Sequence, residues 1–243
     1  MPIWPTSARR WLLSAVLVAS FGLLLVLVNT GWTPLARLDV GSVRALHGFA
    51  VGHPEFVLLM KLISWAGSGP ASSVLAVVFA VGLLCRGAAG PACVVVVAVG
   101  GSAPLNLLAK ELVQRARPAW ADPVAWAGGF SFPSGHSQAS IVGYGVLLLF
   151  VLPAFATTLP RTARGVVTAL VVVAVGAVGF SRVALGVHYP SDVVGGYLLG
   201  AAWLAAVRLP PGAVPHRPRP REPGPAATLS GSFVHRSGTW GAQ

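Results

Sequence analysis

The chain has 243 residues, of which 55% are hydrophobic and only 9% charged, with a mean hydropathy of +0.75. A soluble domain carries roughly a quarter charged residues, so composition excludes an ordinary globular protein and indicates one embedded in a bilayer. The net charge of +11 does not make nucleic acid a partner, because most of the cations flank apolar runs, where membrane topology requires them.

The apolar runs do not alternate with polar residues, so they are read as helices and not as strands of a membrane barrel. Residues 1–10 form a short basic segment with Arg9 and Arg10, followed by a first run from Trp11 to Val28. No small-residue cleavage site follows cleanly, so this run is read as a retained helix with a cytoplasmic N-terminus. Over 30–54, Trp32, Leu38, Val40, Val43, Leu46 and Phe49 interleave with Arg37, Asp39, Arg44 and His47. That pattern suits a short interfacial helix on the outer face, with His47 and His53 as surface or interface histidines. Residues 55–85 are broken at Gly67-Ser68-Gly69-Pro70 and read either as one broken span or as an outer helix followed by a span.

A turn over Gly87–Gly90 leads to a third span, Pro91 to Leu108, and then to Lys110, Glu111, Arg115, Arg117 and Pro118. The loop over 119–132 carries Trp120, Trp126, Phe130 and Phe132, expected as an interfacial aromatic belt. Pro133-Ser134-Gly135-His136 opens a fourth span ending near Leu152. Arg161 and Arg164 precede a fifth, Val166 to Phe180, and a sixth runs from about Asp192 to Val207. The expected fold is therefore all-α and polytopic, with about six transmembrane helices. The transmembrane domain covers 11–208, and the Pro-, Gly-, Ser- and Arg-rich stretch over 209–243 is read as a disordered cytoplasmic tail. Cys85 and Cys93 fit neither a structural disulfide nor a metal-ligand spacing.

With the N-terminus inside, Arg9, Arg10, Arg86, Arg161, Arg164, Arg208 and the arginines of the tail fall on the cytoplasmic side, as the positive-inside rule asks. Three polar clusters then share the outer face. The first is Lys110 with Arg117, whose spacing of seven places both cations on one face of a continuing helix. The second is Ser134-Gly135-His136. A helix start there offers free backbone N–H groups and a positive dipole end, and glycine allows close approach of an anion. The third is Arg182 with His188 and Asp192. If a helix starts near Pro190, Asp192 reaches one imidazole nitrogen of His188 and leaves the other free to attack or take a proton.

The combined set has three cations, two histidines and one clearly placed carboxylate. That donor set is too poor in oxygen ligands for a magnesium-dependent phosphatase and fits metal-free phosphoryl transfer with no cofactor. His188 is expected as the nucleophile, His136 as the acid and base, and Asp192 as the group orienting His188. Lys110, Arg117, Ser134, Gly135 and Arg182 are expected to bind the phosphate. Arg115 reads equally well as a membrane anchor and as part of the site.

Lys110 followed by six residues and Arg117-Pro118, then Pro133-Ser134-Gly135-His136, then Ser181-Arg182, His188 and Asp192, resembles the three-part signature of the type 2 phosphatidic acid phosphatase (PAP2) superfamily. The resemblance implies a six-helix membrane bundle and a lipid phosphate or lipid pyrophosphate substrate, of the phosphatidic acid, phosphatidylglycerophosphate or undecaprenyl pyrophosphate type. It also implies hydrolysis through a phosphohistidine. The expected partners are that substrate and membrane lipids, and the expected location is the plasma membrane with the site on its extracytoplasmic face. A non-catalytic membrane protein that only binds anionic lipid is the alternative. A serine hydrolase triad lacks its nucleophile elbow here, and a zinc site lacks paired ligands.

Overall fold

Hydrocarbon offers the backbone no hydrogen-bond partner, so an apolar run in a bilayer must satisfy its own N–H and C=O groups, which a helix does. The computed structural model describes residues 6–155 and 157–207, with side chains described from residue 11. The basic tail and residues 1–5 of the N-terminal segment lie outside the described residues. Among the described residues there is no strand. In chain order the helices are α1 (Thr6–Asn29), α2 (Thr33–Val51), α3 (Pro54–Ala66), α4 (Gly69–Cys85) and α5 (Ala89–Val113). They are followed by α6 (Gly135–Ala154), α7 (Arg161–Ala184) and α8 (Pro190–Val207).

Five helices, α1, α5, α6, α7 and α8, are long and apolar enough to cross a membrane, and α3 with α4, bent by 43° at their break, are long and apolar enough together to count as a sixth. The break falls at Gly67-Ser68, where Ser68 caps α4 by accepting from the Ala71 N–H at 3.2 Å. The elbow rests on α7, since a Cβ on Gly67 would lie 2.2 Å from Val178 Cγ1. In α6 the segment Leu147–Val151 is π-helical, with the Leu152 N–H reaching back to the Leu147 carbonyl. Pro153 lies just beyond, and a proline lacks the N–H and crowds the carbonyl four residues earlier, so the helix widens ahead of it.

Helix α6 occupies the centre, against α4, α5, α7 and α8. Leu83, Val95, Ala98, Val142, Val146 and Leu204 form the main core around it. The outward faces of α4, α5 and α7 carry exposed Val74, Val77, Val96, Leu107, Leu170 and Val173, the surface a hydrocarbon solvent requires. A buried polar network ties α5 to α6. Asn106 Nδ2 donates to Gln138 Oε1 at 2.7 Å, and Gln138 Nε2 donates to the Ser102 carbonyl at 2.8 Å and hydroxyl at 3.0 Å.

Three expectations change in three dimensions. Helix α2 is amphipathic as read, but its inward face holds Asp39, Val43, His47 and Ala50, so His47 is not a surface histidine. It stacks on Trp120 with ring centroids 3.9 Å apart. The loop aromatics are not all an interfacial belt. Trp120 donates from Nε1 to the Gly186 carbonyl at 2.8 Å, and Phe132 is fully buried between Phe21 and Gly195, while Trp126 is 87% exposed. The third change concerns Lys110 and Arg117. Helix α5 ends at Val113, and Gln114 adopts a left-handed conformation with φ of 51°. Arg117 is therefore not two turns along the same helix, and it reaches the site from an irregular segment.

The small residues of α8 serve packing within the chain. A Cβ on Gly196 would lie 2.5 Å from the Ser134 carbonyl oxygen, and one on Gly200 would lie 2.3 Å from Ile141. Backbone cannot yield as a flexible side chain can. Gly196→Ala is therefore expected to cost about 1–3 kcal/mol and to lower the thermal unfolding midpoint in detergent. Gly100→Ala, where an added Cβ meets nothing within 4 Å, is expected to leave that midpoint unchanged or raise it.

Candidate active site

The ends of α5, α6, α7 and α8 that carry the polar residues lie together at one end of the bundle. Pro190, with its φ already set for a helix, starts α8, and Asp192 then sits in its first turn. Asp192 Oδ2 lies 3.4 Å from His188 Nδ1, the contact expected from the sequence. On the other side of the ring, Arg117 Nη1 lies 3.0 Å from His188 Nε2. A guanidinium has donors and no acceptor, so Nε2 must present its lone pair. The proton of the neutral ring is then on Nδ1, facing Asp192. His188 is 2% exposed. Burial, above all, pushes its pKa down from 6.5 to about 4. The Asp192 hydrogen bond and charge oppose that shift, and the charges of Arg117 and Arg182 add to it.

Arg117 is held in place by loop carbonyls as well. Its Nε donates to Gly129 at 3.0 Å, its Nη2 to Gly128 at 2.9 Å and its Nη1 to Val187 at 2.7 Å. Lys110 donates to the Phe130 carbonyl from the last turn of α5. Arg182, near the end of α7, is 7% exposed and donates from Nη1 to the Ser64 hydroxyl on α3, while its Nε has no partner among the described residues. Ser134 is the N-cap of α6 and accepts from the Ser137 N–H at 3.4 Å and the Ser137 hydroxyl at 3.0 Å. Its backbone N–H donates to the Asp192 carbonyl at 2.9 Å, which fixes the start of α6 against the start of α8. Gly135 and His136 are partly exposed in the first turn of α6. The charges that act on His136 are those of Arg182, His188, Arg117 and Lys110. All eight residues singled out in the sequence thus share one end of the bundle. Among the described residues, no group of three or more His, Cys, Asp or Glu side chains is placed to hold a metal ion.

The model of the PAP2 superfamily matches residues 91–211, about half of the chain. This chain belongs to the PAP2 superfamily. It superposes with a TM-score of 0.71 and 28% identity on the crystal structure of a transmembrane PAP2-type phosphatidylglycerolphosphate phosphatase from Bacillus subtilis, over 80% of this chain and 93% of that one. Among curated PAP2 relatives, phosphatidylglycerophosphatase B of Bacillus subtilis is 40% identical over 98 residues, 40% of this chain and 46% of the relative. Decaprenylphosphoryl-5-phosphoribose phosphatase of Mycobacterium tuberculosis is 39% identical over 100 residues, 40% of this chain and 48% of the relative. The chain thus spans about half the length of the curated relatives it matches.

One residue of this PAP2 site, Asp39, was not identified from the sequence, and another, Arg115, was left open between the site and a membrane anchor. Arg115 donates from Nη1 to Asp192 Oδ1 at 2.6 Å and from Nη2 to Asp39 Oδ2 at 2.8 Å, so it is no membrane anchor. Asp39 is fully buried and receives the Ser191 N–H at 2.9 Å and the Ser191 hydroxyl as well. The site therefore has two carboxylates, not one. Arg115 carried a usable signal, standing two residues from Arg117. Asp39 carried little, since one aspartate on an amphipathic helix reads as solvated.

The His188 ring gives a pH dependence with a definite sign. An unfolded chain takes up a proton near pH 6.5 that the folded chain refuses until about pH 4. Stability present above pH 6.5 is therefore expected to decline as pH falls toward 4. Thermal unfolding in detergent at pH 7.5 and pH 5 tests this, and His188→Asn should show the smaller drop between the two.

Proposed function

We propose that this PAP2 protein hydrolyses a lipid phosphate in the membrane through a covalent phosphohistidine on His188. The observation that carries the proposal is the Arg117–His188 contact. It fixes the tautomer in which the Nε2 lone pair points toward the cations and Asp192 backs Nδ1.

In this reading Lys110, Arg117, Arg182, the Ser134 hydroxyl and the Gly135 amide bind the phosphate oxygens, and Arg117 turns its Nη1 from Nε2 to an oxygen as substrate enters. Nε2 attacks phosphorus, and the bond from phosphorus to the bridging oxygen breaks. His136 delivers a proton to that oxygen, releasing the lipid alcohol. Neutral His136 then removes a proton from water, the water oxygen attacks phosphorus, and the P–N bond breaks to give inorganic phosphate and free His188. No step calls on a metal. The oxygens of Asp192 and Asp39 are already committed to Arg115, Ser131, Tyr189 and Ser191, which suits carboxylates that orient side chains.

A cavity of about 320 Å3 opens beside His136 between α4, α5 and α6, lined by Ser72, Val99, Ala103, Leu107 and Val142. Its size is at the lower end for ligand sites. It suits the chain segment next to a head group, with the remainder of the lipid lying in the bilayer. The names of the relatives favour a phosphate monoester on a glycerolipid or on a sugar carried by a polyprenyl phosphate. The cations Arg86, Arg161 and Arg164 cluster at the opposite end of the bundle. By the positive-inside rule this distribution supports an extracytoplasmic site, and the plasma membrane is the location we propose for it.

Detergent-purified protein is expected to release phosphate from phosphatidylglycerophosphate or a polyprenylphosphoryl-5-phosphoribose with a chelator present. His188→Ala is expected to lose activity by about 10³-fold or more. Wild-type rates in the variant would overturn the nucleophile assignment. Lipid phosphate bound without release by the wild-type protein would instead make this a lipid-binding member of the family.

A further inference from the structure

The proposed chemistry uses Asp192, yet a second buried carboxylate stands behind it and touches no reacting atom. Asp39 comes from α2, which is not among the helices apolar enough to cross a membrane, and is fully buried. One guanidinium joins the two. Arg115 reaches Asp192 Oδ1 at 2.6 Å, Asp39 Oδ2 at 2.8 Å and the Ser191 hydroxyl at 2.7 Å, with its Cζ 4.3 Å from the Tyr189 ring centroid. Asp39 also holds Ser191, the residue directly before Asp192, by its N–H at 2.9 Å and by its hydroxyl. The second Asp192 oxygen receives Ser131, the Tyr189 N–H at 2.8 Å and His188 Nδ1 at 3.4 Å. Arg115 thus occupies the Asp192 oxygen that His188 does not use.

Asp39, Arg115 and Asp192 together carry two negative charges and one positive, a net of minus one behind the imidazole. An isolated buried carboxylate or guanidinium is strongly disfavoured, so the three behave as one unit. The other charged or titratable groups that act on His188 are Arg117 in the loop, Arg182 on α7 and the His136 imidazole on α6, with Lys110 of α5 beside Arg117.

We propose that Asp39 and Arg115 are a pair of positioning residues that act through Asp192 to orient His188 and set the basicity of its Nε2. The proposal rests on the reading of His188 as nucleophile. Asp39→Asn leaves Arg115 to neutralise Asp192 alone, giving net zero behind the ring and a His188 that protonates less readily. Arg115→Gln leaves two negative charges and a His188 that protonates more readily. The double variant returns the net charge to minus one. A purely structural role moves stability in all three variants and has no reason to move His188 in opposite directions.

The test uses full-length protein in detergent with nitrogen-labelled histidine, the His188 signal being assigned by its loss in His188→Ala. The His188 titration midpoint is expected to fall by about one pH unit in Asp39→Asn and to rise by a similar amount in Arg115→Gln. It is expected to return near the wild-type value in the double variant. In phosphate-release assays both single variants are expected to lose about ten-fold or more in kcat, with KM changed less than about two-fold. Midpoints that stay at the wild-type value, or that shift in the same direction in both single variants, overturn the pair. If one single variant does not fold, the other compared with the double variant supplies the same sign test. Wild-type protein that releases no phosphate while these shifts occur overturns the enzyme reading and leaves the pair standing. Phosphate release without the shifts overturns the pair alone.

Discussion

A carboxylate buried at the end of a membrane bundle persists only if protein groups replace its water, and Asp192 is the point where this chain supplies them. Arg115, Ser131, the Tyr189 N–H and His188 all converge on its two oxygens, and its own carbonyl receives the Ser134 N–H. Each donor comes with a piece of architecture. Arg115 and Ser131 bring the two ends of the loop between α5 and α6, which are themselves joined by the Ser131 N–H to the Arg115 carbonyl at 2.7 Å. Tyr189 and His188 bring the turn between α7 and α8. Ser134 brings the first turn of α6. Satisfying one charge in a low-dielectric setting thus assembles the site.

The same demand explains why α2 belongs to the bundle although it is too polar to cross. Arg115 reaches Asp192 with one terminal nitrogen, and Asp39 satisfies the other. The amphipathic helix is thereby anchored by buried polar contacts as well as by Val43 and Ala50. In a bilayer the contrast between apolar side chains and apolar solvent is weak, so shape and buried hydrogen bonds carry more of the specificity. Gly196 and Gly200, which let α8 approach the Ser134 carbonyl and the Ile141 side chain closely, and the Ser102–Gln138–Asn106 network are the other two devices of that kind.

The phosphate-facing side is arranged differently. Arg117 and Lys110 donate to loop carbonyls, neutral acceptors that hold a cation without cancelling its charge. No carboxylate pairs with Arg117 or Arg182 among the described ion pairs. Positive charge is therefore left available on the side of His188 where Nε2 points, and negative charge is confined to the Nδ1 side. The imidazole stands between the two fields.

Helix number and class were legible in the sequence because hydrocarbon imposes long, uninterrupted apolar runs, a local property of the chain. So were the Ser134-Gly135 helix start and the His188–Asp192 contact, since both follow from residues within four positions of each other. The facing of Lys110 and Arg117 was not, because the seven-residue spacing assumed a helix that stops at Val113. Nor were the roles of Asp39 and Arg115 or the burial of His47, Trp120 and Phe132. Each of these depends on a partner more than sixty positions away, and a polar residue outside a span carries no local mark of whether water or another side chain will satisfy it. Covalent spacing determined what each segment had to be. Only the tertiary structure decided which buried charge meets which, because that depends on how the helices close around Asp192.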